Sequence, residues 1–165
     1  MRFPRVIRLD SSDAQIFSPA AEAGEWAVTG SFAFLGVEAT SLEGKAKIAF
    51  ASGWLGSDSW GRASLVEVAE IDEAQFHQVI ERLARHFVEA YGAPSLVEAL
   101  PAARQEAEDA ASLAEHKTGT LLAIEREPAE PQTDGSPAFT ERLRVIQPQR
   151  AQDHAKIWDF VEDKD

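Results

Sequence analysis

Ser57 and Ser59 lie in the stretch of the chain that comes nearest to a nucleophile loop, Gly56-Ser57-Asp58-Ser59-Trp60-Gly61. A serine elbow needs a glycine two residues to either side and a helix behind it, so that the hydroxyl stands exposed on a strained turn. Here the upstream glycine is one residue too far from Ser59, and the residues that follow read as a strand. Acyl transfer through serine is therefore not expected. Phosphate cradling is not expected either, because neither a P-loop nor a dinucleotide-type glycine pattern occurs. The same stretch, widened to start at Gly53, sets Trp54, Asp58 and Trp60 among glycines. Indole rings bury much area at small entropic cost, so such a loop suits ligand or partner contact. The competing reading, tryptophans that plug the edge of a sheet, carries more weight, since large aromatics are mostly buried for packing.

The four histidines are His77, His86, His116 and His154. His77 and His86 are nine residues apart, half a rotation out of phase on a helix, and so do not share a metal. His77 with Glu81 has helical i, i+4 spacing but falls off the apolar stripe, where a solvated face is expected. Glu115 and His116 close an acidic segment that also carries Glu108, Asp109 and Ser112. A carboxylate beside an imidazole can orient a general base or contribute to a ligand set. An imidazole near a helix C-terminus is better explained by the helix dipole and the last carbonyls. Neither the di-iron nor the zincin spacing is present. No metal, cofactor or catalytic constellation is expected, and the residues chosen as candidate binding positions are Trp54, Asp58, Trp60, Glu108, Glu115 and His116.

The elements that must position these residues follow from pattern. The 165 residues are 44% apolar and 27% charged, enough for one domain over residues 1–165 with a real core. There is no cysteine, which closes disulfide, thiolate-metal and thiol-redox chemistry and fits a reducing compartment. Arg2, Arg5 and Arg8 interrupt the N-terminal apolar residues, so no signal-peptide core is expected, and no stretch has the length of a membrane span. A cytoplasmic location is the expectation. Sixteen basic against 28 acidic residues give a net charge of −12, which disfavours nucleic acid and anionic lipid. Glu98, Glu106, Glu108, Asp109 and Glu115 face only Arg104 in one segment, so an electrostatic partner would present a basic protein surface.

Residues 25–35 alternate as a strand, with Trp26, Val28, Phe32 and Phe34 on one face and Gly30 as a gap. Shorter strands are expected at residues 5–9, 15–17, 63–71, 120–126 and 139–146. The best helix runs from a cap at Asp72, with Gln75 completing a capping box, to Gly92, and carries the stripe Phe76, Val79, Ile80, Leu83, Phe87 and Tyr91. A second helical region follows Pro94 and is expected to restart at Pro101. Weaker helices are expected at 41–51 and 155–161. The three prolines and the Asp-Gly of residues 127–137 read as a long hairpin loop. The order predicts an α+β fold: an antiparallel or mixed sheet of about five or six strands, with helices packed mainly on one face.

The segments Val6-Ile7-Arg8-Leu9-Asp10-Ser11-Ser12-Asp13, Ala23-Gly24-Glu25-Trp26-Ala27-Val28-Thr29-Gly30, Gly44-Lys45-Ala46 and Ala111-Ser112-Leu113-Ala114-Glu115-His116 occur in this order. Together they resemble an uncharacterised family of small bacterial proteins, a domain of unknown function. The resemblance covers nearly the whole chain and implies an accessory role beside molybdenum-dependent formate dehydrogenases. It supplies no site residues. The leading expectation is a non-catalytic accessory or adaptor protein that binds another protein through the acidic helical face or the Trp54 to Gly61 loop. The alternative is a small-molecule-binding protein or modest enzyme with a pocket between sheet and helices, drawing on Trp54, Asp58, Trp60, Glu115 and His116. A homo-oligomer joined through an uncovered sheet face is the third option.

Overall fold

The computed structural model describes residues 1–9, 11–130, 133, 138–148 and 158–162, and from residue 147 onward the backbone alone. In chain order the elements are β1 (Arg2–Val6), α1 (Ser12–Ile16), β2 (Ala27–Val28), α2 (Gly44–Ser52), β3 (Trp54–Gly56), β4 (Arg62–Ala63), β5 (Val66–Glu70), α3 (Glu73–Tyr91), α4 (Leu96–Leu113), β6 (Leu121–Pro128), β7 (Phe139–Pro148) and β8 (Trp158–Glu162). The fold is α+β, with antiparallel sheets. Where a single sheet was expected there are two: a five-stranded sheet in the order β1-β5-β6-β7-β8 and a three-stranded sheet in the order β2-β3-β4. A bridge between Arg5 and Trp26 ties one to the other.

The small sheet is buried on both faces, and this explains why β2 and β3 are short but wholly apolar, while β4 adds the half-buried Arg62. Neighbouring residues on a strand point to opposite sides. Val28 and Leu55 join Phe3 and the apolar faces of α3 and α4 in one core cluster. Ala27, Trp54 and Ala63 join Val6, Val66, Val68, Leu122, Ile124, Leu143 and Val145 of the large sheet in a second.

Helix α3 forms as its sequence dictates. Asp72 accepts from the Gln75 backbone at 2.7 Å and the Gln75 side chain accepts from the Asp72 backbone at 3.1 Å. The helix stops at Gly92, at φ +74°. Its stripe Phe76, Val79, Ile80, Leu83 and Phe87 is buried, while Tyr91 at the end stays 49% exposed.

Several segments differ from the reading of the sequence. The strand expected over 25–35 ends after Val28, because Gly30 takes φ +71° and the chain winds into a 3-10 turn at Ser31–Phe34. A Cβ at residue 30 would lie 2.5 Å from Leu55 Cβ, so the position requires glycine for space as well as for dihedral angle. Phe32 and Phe34 then part: Phe32 meets Phe87 at 4.9 Å and Phe34 meets Phe50 at 5.2 Å, both edge-on. Of residues 15–17, Gln15 and Ile16 belong to α1 and Phe17 caps it, and none is in a strand. There the buried Asp13 carboxylate accepts from the Ser64 hydroxyl at 2.7 Å and from its amide at 3.2 Å. Helix α4 does not restart at Pro101 but runs through it. The missing proline N–H affects the exposed turn, while Ala99, Ala103, Ala107 and Ala110 pack closely on the other side. Residues 158–161 of the expected C-terminal helix fall in β8 instead, pairing Val161 with Val145 along an edge of β7 that needs hydrogen-bond partners. Residues 155–157 lie outside the described residues. β6 and β7 pair with each other as a hairpin, Pro128 opposite Phe139, so Glu127 and Pro128 of the expected loop belong to β6; residues 131–132 and 134–137 of that loop lie outside the described residues.

Candidate functional site

Among the described residues, Trp60 is the one non-glycine residue with a positive φ. Its φ of +59° is uncommon for any residue other than glycine and unfavourable for a bulky side chain. Two interactions hold it there. The Glu25 carboxylate accepts from the amides of Asp58 and Ser59, each at 2.9 Å, and from the Ser59 hydroxyl at 2.7 Å, fixing the turn that delivers Trp60. The indole then stacks on His86 of α3, with ring centres 3.9 Å apart and planes 6° from parallel. Burial pushes the His86 imidazole below its usual pKa, against the opposing pull of Glu89, so the stacked ring is neutral at pH 7.

The Trp54 to Gly61 stretch is therefore not the flexible loop that its glycines suggested. Trp54, Leu55 and Gly56 form β3, and Trp54 is fully buried with no partner for its indole N–H among the described residues. A Cβ at residue 56 would collide with the Glu25 carboxylate, so this glycine admits an anchor and does not confer mobility. Asp58 is exposed and shares a shallow cavity of about 210 Å³ with Trp60, Arg82, Arg85, His86 and Glu89. Glu115 lines a different cavity, of about 570 Å³, with Met1, Arg2, Glu70, Ala111 and Ser112. His116 is half-buried beside it, and its backbone carbonyl accepts from Arg2 at 2.7 Å. Glu108 stands exposed on α4. Asp58 and Trp60 thus come together, and Glu115 lies near His116, but the two groups occupy different parts of the molecule. Arg2 pairs with Glu70 at the end of β5, just ahead of α3, whereas Trp60 packs on His86, thirteen residues into that helix and about 20 Å along its axis. Among the described residues, no group of three or more His, Asp or Glu is placed to hold a metal.

A pair of arginines stands out instead. The ladder of the small sheet ends at Val28 and Leu55, which leaves the carbonyls of Thr29, Gly30 and Gly53 beyond it. Arg126, on the inward face of β6, donates to Thr29 at 2.6 Å, Phe50 at 2.9 Å and Gly53 at 3.1 Å. Its Nε donates to the Ser31 hydroxyl at 3.1 Å and pairs with Glu141 at 3.2 Å, and its side chain is 0% exposed. Arg62 donates to Gly53 at 3.1 Å, Gly30 at 3.2 Å and Thr29 at 3.4 Å. Both guanidiniums lie over the Phe34 ring, at 4.8 and 5.2 Å from its centre. A guanidinium offers five donors in a planar fork, which suits it to tie several carbonyls where a ladder stops. Burial, and then Arg126 beside it, push Arg62 down to about 10, so it remains charged at neutral pH. Glu141 compensates Arg126, but among the described residues the hydrogen bonds of Arg62 all go to backbone carbonyls. The signal was present in the sequence: Leu122, Ile124 and Arg126 share a strand face, and a charge at an inward position of a period-two pattern needs buried partners.

The outward face of α4 is the other surface with an unusual composition. Val97 is 77% exposed and Leu100 is 38% exposed, with Leu96 and Tyr91 beside them at the turn between α3 and α4. Further along the same helix Gln105, Glu108 and Asp109 are exposed. Glu106, half-buried at the margin of this face, has its carboxyl pushed up to about 7 by burial first and by Asp109 and Glu141 next.

Residues 1–160 match the sequence profile of a family of unknown function (DUF6505). No curated protein and no solved structure matches the chain.

Proposed function

We propose that this chain, which belongs to the family of unknown function DUF6505, is a non-catalytic accessory protein that binds another protein along the outward face of α4. The observation that carries this reading is the order of side chains on that face. Val97 and Leu100 are exposed at its start, and Glu108 and Asp109 follow about three turns later, with Arg104 as the intervening cation. Exposed apolar residues in a cluster, flanked by charge of one sign, are the usual composition of a partner surface. The complement is an amphipathic segment whose apolar residues lie next to lysines or arginines. The chain's net charge of −12 would draw such a segment in before contact. No helix of the described residues is long and apolar enough to cross a membrane. We place the encounter in the bacterial cytoplasm, and the accessory proteins of molybdenum-dependent formate dehydrogenases are the first partners to try.

The test compares tagged wild-type chain with Val97→Glu and with the double variant Glu108→Lys, Asp109→Lys, each expressed at native level. All three positions are exposed, so the variants should unfold within a few degrees of wild type. The reading expects one stoichiometric partner with wild type and its loss from both variants. A partner retained by both variants would overturn it.

A further inference from the structure

We infer that the groove between α2 and the segment 31–37 is a binding site for an organic anion with an apolar body, a medium-chain or arylalkyl monocarboxylate. The groove holds about 440 Å³, and its walls include Phe17, Phe34, Leu42, Ala49 and Trp60. The charged side chains that line it are Arg62 and Lys45, both cations, although the chain as a whole carries −12. This site is separate from the face of α4 and does not depend on the reading given above.

Three observations make the groove more than a gap in the surface. The first is the charge of Arg62, which is held deep beside a second guanidinium. Glu141 pairs with Arg126, and no carboxylate accepts from Arg62 among the described residues. Buried charge is normally paired, so an anion arriving at Arg62 would supply the missing partner. The second is rigidity. Arg62 is fixed by three carbonyls, and Gly30, where a Cβ would lie 2.7 Å from its Nη1, is shaped to admit it. A preorganised cation binds an anion without a further entropic cost of ordering. The third is Trp60. Trp60, whose backbone is held at positive φ, forms the common wall of this groove and of the cavity around Asp58, and residues held in such backbone conformations by their surroundings concentrate at binding sites. The head group of the ligand would meet Arg62, with Lys45 at the mouth, and its body would lie along Phe34, Leu42 and Ala49. A single carboxylate is favoured over a polyanion because one uncompensated charge waits inside.

Titration of the full chain with decanoate and with 4-phenylbutyrate, followed by amide and indole resonances, tests this. The neutral controls are decanol and 4-phenylbutanol. The expected result is saturable shifts centred on Ala46, Ala49 and the Trp60 indole, with each carboxylate at least tenfold tighter than its alcohol. Ala46→Trp, which fills the groove from an exposed helical position and leaves Arg62 untouched, should abolish the shifts. Lys45→Glu should weaken binding several-fold. Equal affinity for acid and alcohol, shifts that survive Ala46→Trp, or no saturable shift at millimolar carboxylate would each overturn the inference.

Discussion

Replacing Glu106 with glutamine should stabilise the protein at pH 8 and leave it nearly unchanged at pH 4. Glu106 sits half-buried on α4 with Asp109 on its own helix and Glu141 on β7 near it, and its carboxyl is pushed from the ordinary 4.5 up to about 7. A carboxyl that holds its proton more tightly in the folded chain than in the unfolded one makes folding favour low pH. The unfolded state loses its proton near 4.5 and the folded state near 7, so stability declines between these values and the full cost is present above 7. At about 1.36 kcal/mol per pH unit, the upper bound is about 3.4 kcal/mol. Water reaches part of the group, and screening reduces the expectation to about 1–2 kcal/mol. Glutamine mimics the protonated form and removes the cost. Urea unfolding of wild type and Glu106→Gln at pH 4, 6 and 8, monitored by tryptophan fluorescence, measures the difference while other carboxylates cancel between the two proteins. A difference independent of pH, or a variant less stable at pH 8, would refute the reasoning.

Two further substitutions probe the arginine pair and the turn beside it. Arg126→Met removes the buried partner of Glu141 and leaves the carbonyls of Thr29, Phe50 and Gly53 short of donors. A loss of about 3–5 kcal/mol is expected from breaking such a pair, which calorimetry would show as a fall in Tm of roughly 10 °C or more. A loss below about 1 kcal/mol would mean that the carbonyls find water instead. Gly30→Ala adds a clash with Leu55 to the cost of positive φ, whereas Gly36→Ala, at φ +78° with open space around its Cβ position, bears only the dihedral cost of about 1–2 kcal/mol. Chemical denaturation should therefore rank Gly30→Ala clearly below Gly36→Ala, and equal losses would contradict the packing argument.

What could be read from the sequence was what depends on neighbours along the chain. The stripe and the capping box of α3 are local, and they hold as they read. The pairing of β6 with β7 was equally legible, because the two strand patterns follow one another along the chain. Residues 25–35 were misread because alternation alone does not register that Gly30 leaves the strand, a choice made by Leu55 and Arg62 from elsewhere in the chain. Pro101 misled in the opposite direction, since the alanine face of α4 packs tightly enough to keep the helix whole. Trp54 and Trp60, adjacent in one apparent loop, have unrelated roles: one is enclosed between the sheets and the other stacks on His86. Arg62 and Arg126 are 64 residues apart, and only the folded chain brings both guanidiniums to Phe34.

Site-specific photo-crosslinking in the native host tests the central claim most directly. A photoreactive phenylalanine analogue at Val97, at the apolar start of the exposed face of α4, is compared with the same group at Lys47, exposed on α2. The account predicts one adduct from position 97, mapped by mass spectrometry to a lysine- or arginine-bearing amphipathic segment of a single protein, and no such adduct from position 47. The same adduct from both positions, or none from position 97, would contradict it.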